Sequence, residues 1–131
     1  MFVDASALTV LMTVEDGSHH LFAKVERAGT RLTSPLAVWE AAVAVSRTTG
    51  LEIEQAGHEV DDYLTLAKID LVPIPAEAAE LALGAFDRYG KGRHPARLNM
   101  GDCFAYARAR HFAQPLLYKD DDFAQTDIET A

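Results

Sequence analysis

The stretch MFVDASALTVLM, residues 1–12, sets the reading of the whole chain. A short apolar run, read as a strand over residues 2–4, passes directly into a segment with helical spacing. Asp4 stands at the carboxyl end of that strand. The same alternation recurs downstream. A helix is expected from Ser18 as N-cap to Gly29, then a brief strand at RLTS (31–34). Ser34 and Pro35 open a helix that stops at Gly50, since Ser favours the cap and Pro the first helical position. LEIEQAGHEVDDYLTLAKI (51–69) is amphipathic, and Leu71–Val72 is a strand limited by prolines. A helix from Pro75 to Gly90 follows, then one over NMGDCFAYARARHF (99–112). PLLY (115–118) is the next strand, and TDIETA (126–131) is a short edge strand. Short strands alternating with helices predict a parallel sheet covered on both faces, with sites at the carboxyl ends of its strands.

The 131 residues suit one domain, and an apolar content of 49% supplies one core. No repeat, heptad run or low-complexity segment interrupts it. Asp4 breaks any signal-like apolar run, and no apolar stretch nears the ~18 residues of a membrane span, so a cytoplasmic protein with no membrane association is expected. Cys103 is the sole cysteine, which excludes an internal disulfide and a cysteine-based zinc site. The net charge of −8, from 20 acidic and 12 basic residues, argues against nonspecific nucleic-acid binding. The charge is uneven, however. RYGKGRHPAR (88–97) carries Arg88, Lys91, Arg93 and Arg97 with no acid, and its Gly and Pro mark it as a loop. A basic loop on an acidic protein asks for a partner.

Four acidic positions stand out. Asp4 serves equally well as a helix cap or as a site residue. Glu40 lies in LAVWEAAVAV, where its helical neighbours Leu36, Ala37, Val43 and Ala44 are all apolar, so it faces inward. A carboxylate there is costly unless it is salt-bridged or bound to a metal. Asp102 is three residues after Asn99, and a capping box with Asn99 as N-cap explains it adequately. PLLYKDDDF (115–123) ends a strand with Asp120, Asp121 and Asp122, of which at least one belongs to a solvated turn. If these positions converge, their repulsion raises their pKa values or demands a cation. An all-oxygen set suits Mg²⁺ or Mn²⁺. Such an ion activates water and neutralises charge on a phosphodiester.

FVDASAL, the glutamate closing TSPLAVWE, LNMGDCFAYA and PLLYKDDDF occur in the order and spacing of the PIN-domain ribonucleases. Over essentially its whole length the chain resembles the VapC-type toxins of bacterial toxin–antitoxin systems. The resemblance implies a single PIN domain over residues 1–131, of class α/β: a three-layer α/β/α fold with a short parallel sheet of four to five strands. It implies a Mg²⁺-dependent endoribonuclease, with Mn²⁺ as substitute, whose acidic cluster binds one or two metals. Carried over residue by residue, that cluster is Asp4, Glu40, Asp102 and one aspartate of the final loop. Asp122 is preferred there and Asp120 is second, with Asp121 left to solvent. Ser6 matches a supporting hydroxyl, and Asn99 matches a polar residue before the third acid. Arg88, Lys91, Arg93 and Arg97 are candidates to hold flanking RNA phosphates, against the plain alternative of a solvated loop. The substrate implied is structured RNA, tRNA or rRNA. The partner implied is a cognate VapB-like antitoxin whose arginine reaches the acidic pocket, and the net charge of −8 suits a basic partner. Family members commonly form homodimers.

Two other functions compete. One is a non-catalytic partner-binding domain. The other is a phosphoacceptor with Asp4 as nucleophile, which has only Lys119 to offer as its lysine and leaves Glu40 unexplained. His19, His20, His58, His94 and His111 lack metal-ligand spacing and are read as surface or helix-end residues. Trp39 and Tyr106 are assigned to the core, Cys103 to a small buried site, and Asp61 and Asp62 to a solvated helix face.

Overall fold

The computed structural model describes residues 1–119 and 121–131. Its centre is β1 (Phe2–Val3), a strand of two fully buried residues. Side chains alternate across a strand. Phe2 therefore enters one core and Val3 the other. The parallel sheet runs in the order β3-β2-β1-β4, with β2 at Leu32–Thr33, β3 at Asp70–Leu71 and β4 at Leu116–Leu117. Phe2 registers with Leu32 and Leu116, and Val3 with Leu117.

Helices cover both faces, as a sheet buried on each side requires. α1 (Ala5–Thr13), α2 (Ser18–Arg27), α3 (Pro35–Thr49) and α4 (Ile53–Ala67) pack Leu8, Val25, Ala41 and Val60 around Val3 and Leu117. α5 (Ala78–Tyr89) and α6 (Met100–His111) pack Ala82, Ala85, Ala105 and Ala109 around Phe2 and Leu116. This is the three-layer α/β/α arrangement, and among the described residues its sheet has four strands. No helix among those residues is long and apolar enough to cross a membrane.

The helix caps follow from the sequence. Ser34 Oγ accepts from the Ala37 amide at 3.3 Å with Pro35 as first helical residue, and Gly50 ends α3 at φ 78°. Asn99 and Asp102 form the expected reciprocal box at 2.9 and 2.8 Å.

Several expectations need correction. β1 ends at Val3, because Asp4 is already the N-cap of α1. Ser18 is the first residue of α2; Gly17, at φ 93°, occupies its cap, and the helix closes at Ala28. β3 begins one residue earlier than expected. α5 begins at Ala78, because Pro75 opens a turn in which the Ala78 amide donates to the Pro75 carbonyl. TDIETA makes a single bridge, Thr130 to Leu116, instead of a strand. Asp121–Gln125 winds into a 3₁₀ turn. Trp39 is 63% exposed. α3 buries the small residues Ala37 and Ala41, and Trp39 lies about 200° around the helix from each.

α6 carries one buried charge. Arg108 is 1% exposed, its guanidinium lies 4.4 Å from the centre of the Phe112 ring, and burial lowers its pKa. Its Nε and Nη1 have no hydrogen-bond partner among the described residues. Two of its three guanidinium nitrogens are thus buried unsatisfied, which costs more than an apolar side chain of similar volume. Arg108→Leu is therefore expected to stabilise the fold by about 1 kcal/mol, read as a higher Tm at pH 7. A lower Tm would mean that the Phe112 contact outweighs the desolvation.

Candidate active site

The carboxyl ends of β1 and β4 place the first carboxylate. The Asp4 amide donates to the Leu117 carbonyl at 2.9 Å, which fixes the backbone where the strand ends. The Asp4 side chain then turns over α1, where Oδ2 accepts from the Ser6 amide at 3.0 Å and from Ser6 Oγ at 2.6 Å. Asp4 is 4% exposed. Capping and site placement are thus one geometry. Ser6 Oγ also accepts from the Lys119 amide at 3.1 Å, so it ties the loop after β4 to Asp4.

Asp4, Ser6, Glu40, Asn99 and Asp102 line one cleft of about 190 Å³. Asp102 reaches it from the first turn of α6, with Oδ2 accepting from the Asn99 amide at 2.8 Å. Glu40 reaches it from the second turn of α3, half-buried at the cleft and not sealed in the core. Among the described residues no basic side chain pairs with Glu40, so the salt-bridge alternative finds no support there. Its electrostatic neighbours are acids. Burial, then Asp4, then Asp102, push its carboxyl up to about 7. A cation in the cleft would relieve that repulsion.

Among the described residues, no group of three or more His, Cys, Asp and Glu side chains already meets the geometry of a formed metal site. The chemistry of the donors nonetheless fits a hard divalent ion: oxygen ligands, negative charge, and one carboxyl whose pKa burial and then its acidic neighbours raise.

The fourth position is less simply placed. Asp122 is half-buried in the 3₁₀ turn and is not among the residues lining the cleft. Asp121 is exposed, as expected of a solvated residue. Asp120 lies outside the described residues. The basic segment is not all loop, since Arg88 stands in the last turn of α5 and the loop follows Tyr89, and its cations divide in two. Arg88 is bound to Asp127 at 3.1 Å, and Arg93 to Asp87 at 2.6 Å. Lys91 and Arg97 are exposed and make no ion pair among the described residues.

Sequence reasoning did not find Asp127. Its carboxylate accepts from the Tyr106 hydroxyl at 2.7 Å and pairs with Arg110 at 2.7 Å as well as with Arg88. Those bonds, led by Tyr106, hold it well below the usual carboxylate range. It ties the C-terminal segment to α5 and α6. Nothing in the sequence marks it, since it stands between Thr126 and Ile128 in a stretch of mixed polarity. Cys103 is buried, and burial and Asp102 raise its thiol to about 11, so it is inert.

Ser6→Ala removes the hydroxyl that donates to Asp4 Oδ2 and accepts from the Lys119 amide, while the Ser6 amide still bonds Asp4. Loss of such a supporting contact is expected to cost about 10- to 100-fold in activity or metal affinity. Initial-rate assays and calorimetry check this, and wild-type values in the variant would make Ser6 a cap residue only.

A short parallel sheet with an acidic cleft at its carboxyl edge defines the class: the PIN-domain family model matches residues 1–129. A VapC ribonuclease of Mycobacterium bovis and ribonuclease VapC30 of Mycobacterium tuberculosis are each 42% identical over 130 residues, covering 99% of this chain and 97% of the relative. Ribonuclease VapC of Mycolicibacterium smegmatis is 40% identical over 128 residues, covering 98% and 97%. The chain belongs to the VapC ribonucleases of the PIN-domain family. The crystal structure of Mycobacterium tuberculosis VapC20, described as a Sarcin-Ricin loop cleaving toxin, has the same fold, with a TM-score of 0.78 at 18% identity over 99% of this chain and 97% of that one.

Proposed function

We propose that the protein is a divalent-metal-dependent endoribonuclease toxin that cuts structured RNA, tRNA or rRNA, in the cytoplasm and is neutralised by a cognate antitoxin. Asp4, Glu40 and Asp102 would hold Mg²⁺ or Mn²⁺, with Asp122 or Asp120 as the further acid. The observation that carries this reading is Glu40, half-buried beside Asp4 and Asp102 with its carboxyl at about 7 and no basic partner among the described residues. When bound, the ion supplies an activated water and neutralises charge on the phosphodiester. Ser6 orients Asp4, and Asn99 fixes the first turn of α6 that carries Asp102. Lys91 and Arg97 are better placed than Arg88 and Arg93 to hold flanking phosphates, since both of the latter already face carboxylates.

The net charge of −8 supports a basic antitoxin segment as partner. Leu83, Phe86, Met100 and Phe104 line an apolar groove between α5 and α6, which supports burial against a second copy in a homodimer. The test is cleavage of total RNA by the purified chain with Mg²⁺, with EDTA, and with EDTA followed by excess Mn²⁺. Cleavage that appears only with metal is expected. Cleavage that is indifferent to EDTA, or absent in every arm, overturns the reading.

A further inference from the structure

α6 has a glycine in its first turn, although glycine is among the least favourable residues for a helix. The surroundings of Gly101 supply a reason. A Cβ built there would lie 2.0 Å from Glu40 Oε1, 2.6 Å from Oε2 and 2.5 Å from Cδ, all closer than real Cβ contacts. Its three nearest atoms all belong to that one carboxyl group. The other two helical glycines behave differently: a Cβ on Gly57 in α4 or Gly84 in α5 meets nothing within 4 Å. Gly101 is buried, immediately precedes Asp102, and faces the helix that carries Glu40.

We infer that Gly101 is a positioning residue: the space left by its absent side chain is the seat in which the Glu40 carboxyl is held beside Asp102. Any side chain at this position evicts Glu40, because the carboxyl is the flexible end of a long side chain and yields before the helix backbone does. The effect on metal binding rests on the proposed function, whereas the seating itself does not. Gly101 touches neither substrate nor ion and acts only through Glu40.

The experiment is a double-mutant cycle of Gly101→Ala and Glu40→Ala in the full chain, read two ways. Tm is measured without metal. With Glu40 present, Gly101→Ala is expected to lower Tm or leave it flat, because the clash cancels the gain in helix propensity. In the Glu40→Ala background the same change is expected to raise Tm by a few degrees, because nothing then occupies the seat. Mn²⁺ affinity is measured by calorimetry. Gly101→Ala should weaken it about as much as Glu40→Ala, on the order of tenfold, and the double variant should be no weaker than either single one. An equal Tm change in both backgrounds overturns the inference, as does additive loss of Mn²⁺ affinity. If the wild type binds no Mn²⁺, the proposed function fails, and the Tm cycle still decides whether Gly101 seats Glu40.

Discussion

Asp4→Asn is expected to abolish RNA cleavage, with a loss on the order of 10³-fold, while the fold survives. On the proposed function Asp4 has two jobs, and this substitution separates them. As a cap, it accepts from the Ser6 amide at 3.0 Å, and asparagine is an equally good N-cap because its side-chain oxygen accepts in the same way. As a site residue it supplies negative charge to a cleft shared with Glu40 and Asp102, and asparagine supplies none. Tm should therefore change little while activity disappears. Asp4→Ala removes both functions and should also cost about 1 kcal/mol of stability. Cleavage assays with thermal melts on both variants check this. Asp4→Asn with near-wild-type cleavage would confine Asp4 to capping.

The second large effect is on pH. Below about 4.5 Glu40 is protonated whether the chain is folded or unfolded, so it contributes no pH dependence there. Between 4.5 and about 7 the unfolded chain ionises Glu40 while the folded chain keeps the proton, because of burial, Asp4 and Asp102. The folded state then binds more protons, so this group makes stability fall as pH rises through the window and level off above about 7. The metal-free protein should thus gain stability from Glu40 on going from pH 8 to pH 5, and Glu40→Gln should remove that gain. An ion bound by Glu40 must displace the same proton. Mg²⁺ or Mn²⁺ affinity should therefore fall about tenfold per pH unit below 7, with close to one proton released on binding. Calorimetry in buffers of different ionisation enthalpy measures that release. An affinity that is flat between pH 6 and 7.5 would place Glu40 outside the ligand set.

The elements were largely legible because their signals are local. The Ser34–Pro35 start and Gly50 stop of α3 and the Asn99–Asp102 box of α6 depend only on residues a few positions apart. Errors arose wherever a contact from elsewhere in the chain decided the outcome. Trp39 has the composition of a core residue, but α3 meets its neighbours through alanines. Arg88 reads as a free cation until Asp127, 39 positions away, is placed beside it, whereas Arg93 pairs with Asp87 only six positions back. Glu40 was found because a carboxylate among apolar helical neighbours is expensive, and that cost can be read without coordinates.

The sequence by itself determined the βα alternation, the acids at the carboxyl edge and the family pattern that joins them. These rest on turn chemistry, caps and spacing, which act over one or two helical turns. Only the tertiary structure decided that Glu40 leans on Gly101 next to Asp102, that Ser6 joins the β4 loop to Asp4, and which loop cations are already paired. Those contacts join residues as far as 113 positions apart, and only packing around a two-residue central strand brings them within bonding distance.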